Sequence, residues 1–95
     1  MIGKLKGLID SYGEDYVILD VQGVGYEVFV PLGTLGRVGR DGPVSLFVHT
    51  HVREDALVLY GFATAEDRAS FRSLMTVTGV GPKLALAILS QLDAG

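Results

Sequence analysis

The sequence predicts a mainly β chain with C-terminal helices: five short strands closing into a small barrel, then two helices joined by a tight turn. Three observations predict it. Apolar residues alternate with a period of two through several stretches of residues 1–63. The period becomes helical after Phe62. Between these stretches lie clusters of glycine, of which the chain has 13.

The elements follow in order. Residues 3–9 read as the first strand, and residues 10–15 as a polar turn. Residues 16–21 are rich in β-branched and aromatic side chains and form the second strand. Gln22-Gly23 turns the chain into a third strand, 24–30, with Val24, Tyr26, Val28 and Val30 on one face and Gly25, Glu27 and Phe29 on the other. Residues 31–43 carry Gly33, Gly36, Gly39 and Gly42, so only a loop with a short, poor helix fits there. Residues 44–52 alternate again, with Val44, Leu46, Val48 and Val52 on one side. The charged connection Arg53-Glu54-Asp55 leads to a fifth strand, 56–62. Five such strands, with a short helix between the third and fourth, predict a closed barrel of the OB type.

Thr64 and Asp67 have the spacing of a capping box, and Glu66 and Asp67 suit the positive end of a helix dipole. Phe71, Leu74 and Met75 recur at helical spacing. A turn over 78–82 precedes a second helix opening at Pro82, where no amide hydrogen is needed. Its residues Leu84, Ala85, Leu86, Ala87, Ile88 and Leu89 are almost wholly apolar, so burial on several sides is expected. Too little chain follows to provide it, which points to a partner subunit or to residues beyond 95. The expected division is an OB-fold unit over 1–63 and a partial helical unit over 64–95.

Composition narrows the function. The chain has no cysteine, which removes disulfides and thiolate metal sites and agrees with a reducing cytoplasm. No apolar run reaches the roughly 18 residues of a membrane span, and the early Asp10 argues against a signal peptide. A net charge of −3 argues against a protein that binds nucleic acid by bulk charge. The excess acid lies within residues 1–31; residues 32–60 and 61–95 are each balanced, three against three. DNA contact in the C-terminal third must therefore use backbone donors and a few well-placed cations.

The most informative stretch is Val77-Thr78-Gly79-Val80-Gly81-Pro82-Lys83-Leu84-Ala85, which is similar to a helix-hairpin-helix motif. Two glycines permit a tight hairpin and close approach of a phosphate to bare backbone. Unpaired amides at the start of the second helix attract an anion, Lys83 adds a cation, and Val80 plugs the hairpin into the core. Gly79, Val80, Gly81, Lys83 and Leu84 are the candidate DNA-binding residues, and such a site reads backbone rather than bases. A plain helical corner that uses glycines has the same spacing. Gly23-Val24-Gly25 opens no helix, so it is not a phosphate loop.

Four segments in order resemble the RuvA family: residues 1–7 (MIGKLKG), 23–28 (GVGYEV), 53–62 around Arg53-Glu54-Asp55-Ala56 and Leu59-Tyr60-Gly61-Phe62, and 79–90 from Gly79 to Ser90. The resemblance implies a non-catalytic subunit that grips four-way (Holliday) junction DNA for branch migration in recombination and repair. It also implies a homotetramer with a concave DNA face, a RuvB motor that hydrolyses ATP, a RuvC resolvase, a second hairpin and a mobile third domain. These last two are not among the 95 residues, so contact with the motor is not expected from them. Glu54 and Asp55 match the family's acidic pin. By the residues alone the default reading is a solvated hairpin tip; as the pin the resemblance implies, four-fold symmetry would gather them at the crossover, where they repel phosphate and hold the strands apart.

His49 and His51 share a strand face, but no third ligand has metal-like spacing nearby, and neither metal nor cofactor is expected. Tyr12, Tyr16, Tyr26 and Tyr60 read as packing rather than base-stacking residues. Ser70, Ser73 and Ser90 lack a histidine–acid arrangement, so no catalytic site is expected. The rival readings are a generic OB module for single strands and a scaffold that only oligomerises; preference for four-way DNA excludes the first, and any DNA affinity the second.

Overall fold

The computed structural model describes residues 1–94. Five strands, β1 (Lys4–Tyr12), β2 (Tyr16–Val21), β3 (Val24–Phe29), β4 (Val44–Val52) and β5 (Leu57–Phe62), close into a barrel in the order β1-β2-β3-β5-β4. A five-residue helix, α1 (Thr34–Val38), links β3 to β4, and α2 (Ala65–Met75) and α3 (Pro82–Ala94) follow the barrel. The expected mainly β fold with C-terminal helices is what forms.

The alternation read from the sequence is the barrel's inside and outside. Leu5, Val17, Leu19, Val28, Val30, Val44, Leu46, Val48 and Leu59 fill the interior. Thr50 takes the next inward place on β4; its hydroxyl donates to the Ile2 carbonyl at 2.6 Å and accepts from the Ile2 amide at 3.1 Å. That pairing satisfies a polar side chain only 5% exposed and fastens the N-terminus to the barrel. Val52, expected on the inner side, is exposed because β4 outruns the barrel wall there. Leu35 and Val38 of α1, in the connection from β3 to β4, pack on the core.

Two strand connections differ instructively. Gln22 and Gly23 take φ of 52° and 91°, the double left-handed turn that matches strand twist in a two-residue hairpin. The Asp20 carboxylate accepts the Gly23 amide at 2.8 Å. The first turn starts later than expected: β1 runs on through Asp10 and Ser11 to Tyr12. A register shift between Ile9 and Ser11 leaves Asp10 as an extra residue, so the polar pair stays in the strand as a bulge.

A second apolar cluster joins barrel to helices: Tyr60 and Phe62 of β5, Phe71 of α2, and Ala85, Leu86 and Leu89 of α3. Phe29, on the outer face of β3, packs against it. Phe71 lies at its centre, with ring centroids 4.9 Å from Phe62 and 5.2 Å from Tyr60. Burial of α3 is narrower than expected. Ala85, Leu86 and Leu89 are covered within the chain, whereas Leu84 is 49% and Leu92 70% exposed. The Thr64 hydroxyl caps α2 by accepting the Asp67 amide at 3.1 Å. The Asp67 carboxylate pairs instead with Arg37 at 2.6 Å, tying α2 to α1.

Candidate nucleic-acid interface

Four backbone features build the hairpin between α2 and α3. Thr76 ends α2, its hydroxyl donating to the Ser73 carbonyl at 2.6 Å. The Val80 amide closes a turn onto the Val77 carbonyl at 3.0 Å. Within that turn Gly79 has φ of 88°, a conformation that side chains disfavour. Pro82 then starts α3 with its pre-set φ and no amide to satisfy. Val80 packs into the second cluster, as the sequence predicts.

The two glycines differ in kind. Gly79 is needed by its backbone angle. Gly81 has no positive φ, and a Cβ there would meet nothing within 4 Å. The expectation that both glycines serve the tightness of the hairpin is therefore corrected at Gly81: within the chain the position is open and exposed at the mouth of α3. The first helical bond of α3 runs from the Ala85 amide to the Gly81 carbonyl at 3.0 Å. The Lys83 and Leu84 amides lie in the first turn, where no carbonyl one turn back exists to receive them. Both residues are exposed.

Glu54 and Asp55 form the exposed tip of the β4–β5 hairpin, closed by the Arg53 amide on the Ala56 carbonyl at 2.7 Å. Neither carboxylate makes a hydrogen bond or ion pair among the described residues.

A cleft of about 1130 Å³ runs between the barrel and α3. Phe29, Val58 and Tyr60 wall one side and Leu84, Leu86 and Ala87 the other. Gly81 and Lys83 reach it from the hairpin, Arg53 from the base of the acidic tip, and Glu14 and Asp15 from the first turn. The cleft thus takes in the hairpin residues Gly81, Lys83 and Leu84, and of the acidic hairpin only Arg53; Glu54 and Asp55 lie outside its lining. Sequence reasoning missed Arg53 and Tyr60 as members, since only the closing of β5 against β3 sets them beside α3. The nearby Arg53 charge lowers the Tyr60 pKa, but burial outweighs it and pushes the hydroxyl above its ordinary value of 10.0. The Leu32 amide donates to Ser90 Oγ at 2.9 Å, and Ser90 Oγ donates to the Leu86 carbonyl at 2.8 Å. These bonds fasten α3 to the loop after β3 and give Ser90 a structural task.

His49 and His51 sit on the outer face of β4 with ring centroids 6.3 Å apart. His49 Nδ1 accepts from Arg72 Nε at 3.0 Å, so its lone pair is already engaged. No group of three or more metal-ligating side chains gathers among the described residues. Burial, and then the Arg72, His51 and Arg68 charges, lower the His49 pKa from 6.5. The unfolded chain therefore takes up a proton at higher pH than the folded chain. The His49 contribution is complete above about pH 6.5 and is lost as pH falls below it. Thermal melts across this window should show stability falling with acid, and His49→Gln should flatten the fall. An equally steep fall in the variant would assign it to other groups.

Residues 1–61 match the family described as RuvA N terminal domain. The chain is 59% identical over 93 residues to a Rhodopseudomonas palustris protein named Holliday junction branch migration complex subunit RuvA, covering 97% of this chain and 45% of that one. Proteins of the same name from Sinorhizobium medicae and Methylorubrum populi are each 55% identical, over 100% and 98% of this chain and 47% and 45% of theirs. The chain thus spans about half the length of these curated relatives, and their similarity extends through α2 and α3, beyond the 1–61 match. With a family match over 1–61 and identities of 55–59% across nearly the whole chain, the chain belongs to the RuvA family.

Proposed function

We propose that the chain is the junction-holding part of a non-catalytic subunit that binds four-way DNA during branch migration, in recombination and repair in the cytoplasm. The observation that carries this reading is a cleft lined by both the open first turn of α3, with Lys83, and Arg53, which immediately precedes the unpaired carboxylates of Glu54 and Asp55 along the chain. Amides at Gly81, Lys83 and Leu84 attract phosphate, while the acidic tip repels it at the crossover. Acid that excludes and amides that attract let a chain of net charge −3 bind DNA selectively. The barrel, 1–63, carries the acidic tip; the partial helical unit, 64–95, carries the hairpin with Gly79 and Val80. A homotetramer would repeat this arrangement around the junction, with ATP hydrolysis supplied by the RuvB motor and cleavage by the RuvC resolvase, and no cofactor on this subunit. The names of the relatives, subunits of a Holliday junction branch migration complex, support the same reading.

The test is a salt titration with four-way and linear DNA, using a full-length family member carrying these residues. Lys83→Ala should weaken binding about equally for all sequences and reduce the salt slope by about one unit. Gly81→Ala should fold normally, since its Cβ meets open space, so any affinity it loses reports phosphate approach. Glu54→Gln with Asp55→Asn should keep the fold and lose discrimination between four-way and linear DNA. If Lys83→Ala and Gly81→Ala bind as the parent does, the hairpin is only a helical corner. If the double amide variant still discriminates fully, the tip is only a solvated turn.

A further inference from the structure

The outer face of the barrel carries a second concentration of charge, distinct from the cleft. Lys4 and Lys6 flank the buried Leu5 on β1 and therefore point outward together. Their partners on β4 are Phe47 and Ser45, whose side chains also face out, between the inward Val44, Leu46 and Val48. Lys4 Nζ lies 5.4 Å from the Phe47 ring centre, and the Arg68 guanidinium 5.5 Å from it. Arg72 follows one helical turn along α2 and reaches His49.

Four of the eight lysine and arginine residues of an acidic chain thus share one face. None of the four forms an ion pair among the described residues. The nearest acids on α2 do not neutralise them: Asp67 is held by Arg37, and Glu66 precedes Arg68 by two residues, about 200° around the helix. None of the four lines the cleft.

From this face we infer a second nucleic-acid contact, one that follows a phosphate backbone across β1, β4 and α2. Lys4 and Lys6 are about 6.8 Å apart along the strand, of the order of the spacing between successive phosphates on one strand. The Phe47 ring holds Lys4 and Arg68 in place by cation–π contact, so less side-chain freedom is lost on binding. Arg68 is further fixed by donating to the Gly3 carbonyl at 2.7 Å. Cations on an outer barrel face meet phosphate oxygens, which carry no sequence information, so the contact is independent of sequence. It stands apart from the hairpin reading, because a different set of residues carries it.

The experiment measures binding of this chain to short single-stranded and duplex DNA as salt is raised, with poly-glutamate as a competing polyanion. Lys4→Glu with Lys6→Glu should lower affinity at least tenfold at low salt and reduce the salt slope by about two units. Lys4→Arg with Lys6→Arg should bind as the parent does. Melting curves check that both variants are folded. Parent-like binding by the folded charge-reversed variant overturns the inference, as does a parent chain with no DNA affinity at low salt. Stronger binding of poly-glutamate than of DNA overturns it in favour of an acidic polypeptide. Four-way preference and sensitivity to Lys83→Ala are read separately, so failure here leaves the hairpin reading intact, and the reverse.

Discussion

Phe71→Ala is expected to destabilise the chain by about 3–5 kcal/mol and to release the helices from the barrel. Phe71 is fully buried and touches both sides of the joint: Phe62, Tyr60 and His49 on the barrel, and the cluster shared with Ala85, Leu86 and Leu89 of α3. Truncation removes apolar burial and the aromatic contacts together and leaves a cavity that three elements would have to close. The barrel has a separate interior cluster, so the loss falls first on α2 and α3. Chemical denaturation followed in parallel by amide exchange on the strands and the helices measures this. The helices should lose protection before the strands do. A loss no larger than a surface substitution, about 0.5 kcal/mol, would mean that Phe71 does not hold the joint. The cleft lies between the two bodies that Phe71 joins, so DNA affinity should fall with it even though Phe71 lines no part of the cleft.

Gly7→Ala should be comparably damaging, by about 3 kcal/mol, the upper end for overpacking. Gly7 is where β1 changes partner. It makes the last pair with β4, opposite Val44, and Leu8 makes the first with β2, opposite Asp20. At that corner a Cβ would press on the Asp20 carbonyl oxygen, with the carbonyl carbon and Val21 Cγ2 each at 3.0 Å. Two of these three atoms are backbone, so relief requires moving β2 itself. Gly36→Ala is the matched control, since a Cβ in α1 meets nothing within 4 Å. Thermal melts of the pair should separate widely. Equal melting temperatures would show that the corner has slack.

Period and turn chemistry made much of this fold legible. β2 and β4 have the expected limits, because β2 is a short run rich in β-branched and aromatic residues and β4 an alternation, each bounded by turn residues or charge. The α3 start at Pro82 and the Thr64 cap are local signals and were equally readable. What was not readable depends on distant partners. The bulge at Asp10 arises only in pairing with β2. Asp67 turns from its own helix to Arg37, thirty residues away in sequence. For the site, the hairpin and acidic tip were visible as motifs. The cleft that sets Arg53 and Tyr60 beside the hairpin was not, and the different demands on Gly79 and Gly81 needed backbone angles and neighbours.

The wall of the barrel is uneven, and that unevenness orders its assembly. β2 and β3 pair over six residues, as do β4 and β5, each across a short connection. β3 and β5 meet in parallel over only two pairs, Val28 with Leu59 and Phe29 with Tyr60, which are 31 residues apart along the chain. The hairpins gain their contacts at small loop-closure cost, whereas the seam must wait until both exist. Phe29 and Tyr60, residues of that seam, are also part of one wall of the cleft. A nascent chain with both hairpins made already displays its acidic tip but has no place to seat a phosphate. On the reading proposed above, a chain whose β3–β5 seam has not closed lacks that wall and does not hold DNA through the cleft.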